Sequence, residues 1–191
     1  MTNAVPDQFP DLRRALDEDE AVFARRFYRE VWQHQEYQRA RLLLSQEFLF
    51  PLNLPAGKVL MLGTHNGHVF DAWCRHWGHW RCVGIDLHND PEHPNIWELD
   101  VRDLGPGHSL PVALAWNDIG SWSRTPEARG HSYRWTRDHV VPGGFYLERG
   151  DAVAGWALSE DMAGHGFLSH LDIWDGAYVL YRRREAPDAG A

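Results

Sequence analysis

The stretch Val59-Leu60-Met61-Leu62-Gly63-Thr64-His65-Asn66-Gly67-His68 constrains the fold more than any other part of the chain. Val59 to Leu62 form an unbroken apolar run, which suits a strand covered on both faces of a parallel sheet. Gly63 to Gly67 can then turn tightly into an amphipathic segment. The order is strand, glycine loop, helix. Such a loop either lets a ligand approach the backbone at a helix N-terminus on the carboxyl edge of a sheet, or only relieves strain in an ordinary turn.

The residues downstream bear on that choice. Val69, Trp73 and Trp77, with Phe70 and Cys74, make one apolar helical face that ends near Gly78. Cys82-Val83-Gly84-Ile85-Asp86 follows, a second short apolar run closed by a carboxylate 23 residues after Gly63. In a nucleotide-binding αβ unit, an acid at about this separation ends the second strand and accepts hydrogen bonds from ribose hydroxyls. The bland reading of Asp86 is a cap or turn residue. Following a glycine loop, it is read as a ligand group.

Three further strands are expected. Asn95 to Asp100 reads as the third, Leu110 to Trp116 as the fourth, ending in Asn117-Asp118, and Gly144 to Glu148 as the fifth. His131 to His139 reads as a helix stopped before Pro142-Gly143-Gly144. Asp86, Asp100, Asn117, Asp118 and Glu148 thus gather where strands end, on the edge where open parallel sheets bind ligands. Asp151 to Gly164 reads as a helix, and Phe167 to Trp174 and Ala177 to Tyr181 flank Asp175-Gly176, a two-residue hairpin signal. The fold class is α/β: a Rossmann-like, open, mostly parallel sheet with a C-terminal antiparallel hairpin and an N-terminal helical extension.

That extension covers residues 1–56. Residues 1–10 read as disordered, Asp11 to Glu20 as a short charged helix, and Ala21 to about Gln46 as a long amphipathic helix with Phe23, Phe27 and Val31 on one face. The long helix suits packing on the sheet, a homodimer contact or closure over a pocket. Residues 57–184 form the sheet domain and 185–191 a disordered tail.

In 191 residues, a hydrophobic share of 43% supports one core. The formal net charge is −8 and the only basic run is Arg182-Arg183-Arg184, which disfavours a duplex nucleic-acid groove and leaves small molecules as the easier partners. No apolar run approaches the ~18 residues of a membrane span, and Met1 to Pro10 lack a signal-peptide core, so a cytoplasmic location is expected. Cys74 and Cys82 match neither a disulfide framework nor a zinc spacing. His88, Asp90 and His93 share a proline-bearing link, but no Cys or spaced His pair joins them in sequence, so they read as solvated.

Five strands alternating with helices or loops before a terminal hairpin resemble the class I S-adenosylmethionine-dependent methyltransferases, over about Gly57 to Arg183. The Gly63 to Gly67 loop, followed by Val83-Gly84-Ile85-Asp86, is most similar to the small-molecule and sugar O-methyltransferase branch that includes the macrocin O-methyltransferase and cephalosporin hydroxylase types. Pro142 to Leu147 and His131-Ser132-Tyr133 also resemble segments of that branch. The resemblance implies that Gly63, Thr64, His65, Asn66 and Gly67 face the methionine part of the cofactor S-adenosylmethionine and Asp86 the ribose, with Leu87 beside it. It implies that Asp100 and Val101 contact the adenine and that Asn117 and Asp118 lie beside the reacting methyl. Met61 departs from the family pattern, which has an acid there, and His65 replaces the commonest middle glycine. The linkers after the second and third strands are short for full helices.

The activity implied is methyl transfer to a small-molecule hydroxyl or amine. The candidate bases are Asp118, at a strand end, and His131, whose imidazole titrates near neutrality; each also reads as a cap. Trp116, Trp122 and Trp135 read as an aromatic wall for the acceptor or as core. Mg²⁺ between Asp118 and Glu148 would suit the oxygen donors, although Arg149 and Gly150 interrupt the family's acidic pair. The alternative is a non-catalytic protein that retains nucleotide or S-adenosylmethionine binding on a degenerate fold. A nicotinamide-dependent oxidoreductase fits less well, because the loop is Gly-x-x-x-Gly and lacks Gly-x-Gly-x-x-Gly.

Overall fold

The computed structural model describes residues 35–65, 67–87, 93–118, 126–149, 158–174 and 178–185. The expectations for residues 1–34, His88, Asp90, Trp122, the Asp175-Gly176 turn and the tail beyond Glu185 lie outside them.

The described elements follow the expected order. Helix α1, Gln35–Leu44, runs into one wide helical turn, Ser45–Leu49, and then into β1, Lys58–Leu62. Helix α2, His68–Trp77, leads to β2, Cys82–Asp86, and to the short β3, Ile96–Glu98. Two single 3-10 turns, Val101–Asp103 and Pro106–His108, stand where a full helix would otherwise precede β4, Val112–Asn117. Helix α3, Pro126–His139, and β5, Val140–Arg149, follow. Helix α4, Leu158–Gly164, and strands β6, Phe167–Ile173, and β7, Tyr178–Arg183, complete the order.

The strands form one sheet in the order β3-β2-β1-β4-β5-β7-β6. β1 to β5 are mutually parallel, while β7 runs antiparallel to both β5 and β6. The strand order reverses at β1, with β2 on one side and β4 on the other. That reversal opens a crevice outside the carboxyl ends of the strands. Leu62 pairs with Ile85 and with Asn117, and Asn117 pairs with Glu148, so the strand-end polar groups share one edge.

Alternation along the strands sorts the core into two layers. Val59, Met61, Cys82, Leu114, Trp116 and Leu147 pack under α1 and α2, while Leu60, Leu62, Ile85, Ala115 and Tyr146 pack under Tyr133 and Trp135 of α3. Ala40, Leu44 and Leu49 belong to the first layer, so this part of the N-terminal extension packs against the sheet domain. Trp116 and Trp135 lie on opposite faces of the sheet, because consecutive strand residues point to opposite sides, and they do not form one aromatic wall.

Several boundaries differ from expectation. β3 ends at Glu98, so Asp100 caps the following 3-10 turn and does not end the strand, and α3 is already helical at Pro126, five residues before His131. β5 begins at Val140, so Pro142-Gly143-Gly144 lies within the strand. Between the pairs Val112↔Val140 and Leu114↔Phe145 the register shifts, Gly143 takes φ +76°, and a Cβ at Gly144 would come 2.8 Å from the Val141 carbonyl oxygen. Proline and glycine here make a bulge, a strand feature that a sequence shows only as a turn.

Gly84 is the tightest point between the layers and the loop. A Cβ there would lie 2.6 Å from Thr64 Cγ2, 2.9 Å from Ile96 Cγ1 and 3.3 Å from Phe70 Cζ. Gly84→Ala is expected to lower unfolding free energy by about 1–3 kcal/mol in denaturant titration; an unchanged midpoint and slope would show that the loop yields without cost.

Candidate active site

The site is built at the carboxyl ends of β1, β2 and β4. After Leu62 the backbone enters left-handed conformations at Gly63 (φ +82°), His65 (φ +57°) and Gly67 (φ +79°), and α2 starts at His68. Glycine adopts this region without strain, whereas a histidine there costs roughly 1–3 kcal/mol. Asp86 offsets that cost. Its Oδ2 accepts the His65 backbone N–H at 2.8 Å and lies 3.5 Å from Thr64 Oγ1, and a hydrogen bond to a charged group contributes about 1.5–3 kcal/mol. Asp86 is thus both the last residue of β2 and the brace of the loop. Asn66 lies outside the described residues.

On the other side of the loop, the His65 side chain turns towards β4. Its Nε2 is 3.3 Å from Asp118 Oδ2, and the same oxygen is 3.1 Å from Nε of Arg41. Arg41, on α1, also donates to the Gly63 carbonyl oxygen at 2.8 Å and stands 4.9 Å over the Trp116 ring. Arg41 and Asp118 are 1% and 0% exposed. Removing one partner of a buried pair of this kind costs about 3–5 kcal/mol, since the other charge stays in the low-dielectric interior. Nothing in the sequence singles out Arg41: an arginine on an amphipathic helix ordinarily faces water. Met61, at the position of the family's acid, instead offers its sulfur to Arg41 at 3.7 Å.

Burial, reinforced by the Arg41 charge, holds the His65 imidazole below its usual value of 6.5, although the hydrogen bond to Asp118 pulls the other way. His65 is therefore neutral near pH 7 and donates through Nε2.

Asn117 anchors a second buried network. Its Nδ2 lies 3.3 Å from Ser132 Oγ, 3.2 Å from Tyr146 Oη and 3.1 Å from Glu148 Oε2. The Tyr146 hydroxyl donates to the same Glu148 oxygen, and burial, then the Glu148 charge, raises its pKa well above the ordinary phenol. Among the described residues, the cluster of three or more His, Cys, Asp or Glu ligand atoms includes neither Asp118 nor Glu148. With those two carboxylates held by Arg41 and Tyr146, the arrangement does not favour the Mg²⁺ site weighed from sequence.

The residues that the resemblance assigns to the adenine lie one strand over. Asp100 caps the first 3-10 turn, accepting the Arg102 N–H at 2.8 Å, and both its oxygens accept from the Arg102 guanidinium, which holds its carboxyl below the usual range. Val101 is buried beside it, and Leu87, directly after Asp86, is 47% exposed. His131 donates from Nε2 to the Leu104 carbonyl oxygen at 2.8 Å, tying α3 to that segment. The structure thus brings Gly63 to His65, Gly67, Asp86, Asn117 and Asp118 to the carboxyl edge of β1, β2 and β4. It places Asp100, Val101 and His131 around the β3–β4 link.

Of His88, Asp90 and His93 only His93 is described: it is half-buried, and one of its ligand atoms lies within 4.8 Å of one from Cys74 and one from His79.

No protein-family model matches the chain, and no curated protein does. Solved structures match it at the level of the fold. The 1,6-didemethyltoxoflavin N1-methyltransferase of Burkholderia thailandensis, solved with 1,6-didemethyltoxoflavin and S-adenosylhomocysteine, is 16% identical, with a TM-score of 0.54 over 95% of this chain and 92% of its own. The glycopeptide N-methyltransferase MtfA is 12% identical, with a TM-score of 0.53 over 76% of this chain and 90% of its own. The mycinamycin-pathway methyltransferase MycE, solved with Mg and S-adenosylhomocysteine, is 14% identical, with a TM-score of 0.51 over 95% of this chain and 55% of its own. The chain has the Rossmann-like fold that these small-molecule methyltransferases share.

The His65 geometry gives a signed pH dependence. The unfolded chain takes up the His65 proton as pH falls through about 6.5, and the folded chain only at lower pH, so stability is full above 6.5 and declines below it. His65→Asn, which tolerates a left-handed backbone, is expected to reduce the slope of unfolding free energy against pH below 6.5 by up to about 1.4 kcal/mol per pH unit. An unchanged slope in denaturant titrations across that range would mean that His65 is not the group responsible.

Proposed function

We propose that the chain is an S-adenosylmethionine-dependent methyltransferase acting on a hydroxyl or amine of a small molecule. The observation that carries the proposal is the bond from Asp86 at the end of β2 to the left-handed loop after β1, at the point where the strand order reverses. That is the place, and the set of groups, with which this fold holds a nucleoside and the chain attached to it. Small-molecule methyltransferases share the fold.

The residues fit the cofactor. A Cβ at Gly67 would meet nothing within 4 Å, which leaves room at the head of α2, where N–H groups favour a carboxylate. Asp86 suits ribose hydroxyls, and the exposed Leu87 with Val101 suits the faces of a purine. When bound, S-adenosylmethionine supplies a methyl group activated by a sulfonium centre. The protein's own part is to hold the acceptor in line and to receive its proton where the acceptor is a hydroxyl.

Of the two candidate bases, Asp118 has the better place, beside His65 and Asn117 at the methyl end of the crevice. Its Oδ2 is engaged by Arg41 and His65, so its role is to position the loop rather than to take a proton, and an amine acceptor, which brings its own lone pair, demands least of it. His131, bound to the Leu104 carbonyl, positions the β3–β4 link. The acceptor class, the absence of a nucleic-acid partner and a homodimer through the N-terminal extension belong to this proposal. Among the described residues no helix is long and apolar enough to cross a membrane.

The test is transfer of a labelled methyl from S-adenosylmethionine to a panel of small hydroxyl and amine acceptors. Product and S-adenosylhomocysteine are expected in equal amounts. Folded Asp86→Ala is expected to lose at least about tenfold in apparent cofactor affinity, the scale of a lost hydrogen bond to a charged group. Cofactor binding without transfer to any acceptor would support the non-catalytic alternative, and unchanged affinity in Asp86→Ala would remove Asp86 from the site.

A further inference from the structure

A cluster unrelated to the crevice lies at the opposite, amino edge of the sheet. Cys74 is buried in the last turns of α2, His79 is exposed in the turn after Gly78, and His93 sits half-buried in the approach to β3. One ligand atom from each lies within 4.8 Å of the other two. A tetrahedral zinc site with metal–ligand bonds of about 2.0–2.3 Å has ligand atoms ~3.3–3.8 Å apart, so roughly an ångström of side-chain closure separates this arrangement from a coordinating one.

The surroundings favour coordination. His93 Nε2 lies 3.2 Å from Asp71 Oδ1. A carboxylate on one ring nitrogen orients the other and makes it a better donor, the usual support for a metal-bound histidine. The remaining nitrogen, Nδ1, now accepts the Asn95 backbone N–H at 3.1 Å, a part-buried contact that a cation would replace. The backbone of the turn is fixed, since the Gly78 carbonyl accepts from Arg81 at 3.0 Å and the His79 carbonyl from Cys82 at 3.3 Å. The His79 and His93 rings lie nearly parallel, with centroids 6.1 Å apart. The thiol of Cys82, the first residue of β2, lies beside Cys74 but outside the three-residue cluster.

We infer that Cys74, His79 and His93 form a binding site for a thiophilic divalent cation of the zinc type, with Cys82 or water completing a tetrahedron. One thiolate with two imidazoles selects Zn²⁺ over Mg²⁺ or Ca²⁺, which take oxygen donors. On binding, the Cys74 thiol loses its proton to solvent and the sulfur–metal bond forms, with no change of oxidation state. The ion would clamp the end of α2 and its turn to the lead-in of the edge strand β3. Asp86 ends β2 four residues after Cys82, about 13 Å away at the strand rise, so the ion would be structural and would take no part in the crevice chemistry.

Titration of the chelator-stripped full chain with Co²⁺, read by absorbance and reversed with Zn²⁺, tests the site. One equivalent is expected, with tetrahedral visible bands and a thiolate-to-metal charge-transfer band in the near ultraviolet. That band is lost in Cys74→Ser, and affinity falls at least about tenfold in His79→Ala and His93→Ala. His79 is exposed, so His79→Ala reports on coordination without disturbing the core. Absence of stoichiometric uptake, uptake without the thiolate band, or affinity unchanged in His79→Ala would overturn the inference. Cofactor binding in the crevice is independent of each outcome.

Discussion

His65 is held between two carboxylates, and the geometry of the whole carboxyl edge depends on it. Its backbone N–H is bound by Asp86 from β2 and its ring by Asp118 after β4, while its own backbone is left-handed. The loop after β1 is thereby fastened to both neighbouring strands at the point where the sheet changes direction. A strained residue persists only where its surroundings over-determine it, and such places cluster at binding sites. Arg41 extends the constraint to the N-terminal helix. The buried ion pair with Asp118 makes the placement of α1 and the shape of the crevice one problem, at a scale of about 3–5 kcal/mol against a typical net stability of 5–15 kcal/mol.

This bracing accounts for the departures from the family pattern. The acid expected at Met61 is absent, and an arginine arrives there from another element, meeting the Met61 sulfur, the Gly63 carbonyl and Asp118. The charge arrangement near the loop is therefore inverted relative to the one the resemblance implies, while the ribose-side carboxylate, Asp86, stays in place. The carboxyl edge keeps Asp86 against the loop and commits Asp118 to internal order with Arg41 and His65.

The sheet was legible because each parallel strand is a short apolar run closed by a polar group. Val59 to Leu62, Cys82 to Asp86 and the run up to Asn117 show this without any alignment, and Asp86, Asn117 and Glu148 fall on one edge as expected, whereas Asp100 caps a 3-10 turn beyond β3. Harder to read were features whose cause is distant in sequence or ambiguous in type. Arg41 and Asp118 are 77 positions apart, and only the packing of α1 joins them. The bulge in β5 has the residues of a turn. Cys74, His79 and His93 come from a helix, a turn and a link with no regular spacing, so the pattern emerges only when the α2–β2 turn folds back against the approach to β3.

Calorimetric titration of the purified protein with S-adenosylmethionine, S-adenosylhomocysteine and NAD tests most directly whether the edge braced by Asp86 and His65 holds the proposed cofactor. Saturable 1:1 binding of both sulfur compounds and none of NAD is the expected result. Silence towards both sulfur compounds, or tighter binding of NAD, would contradict it and leave the glycine loop as a structural turn.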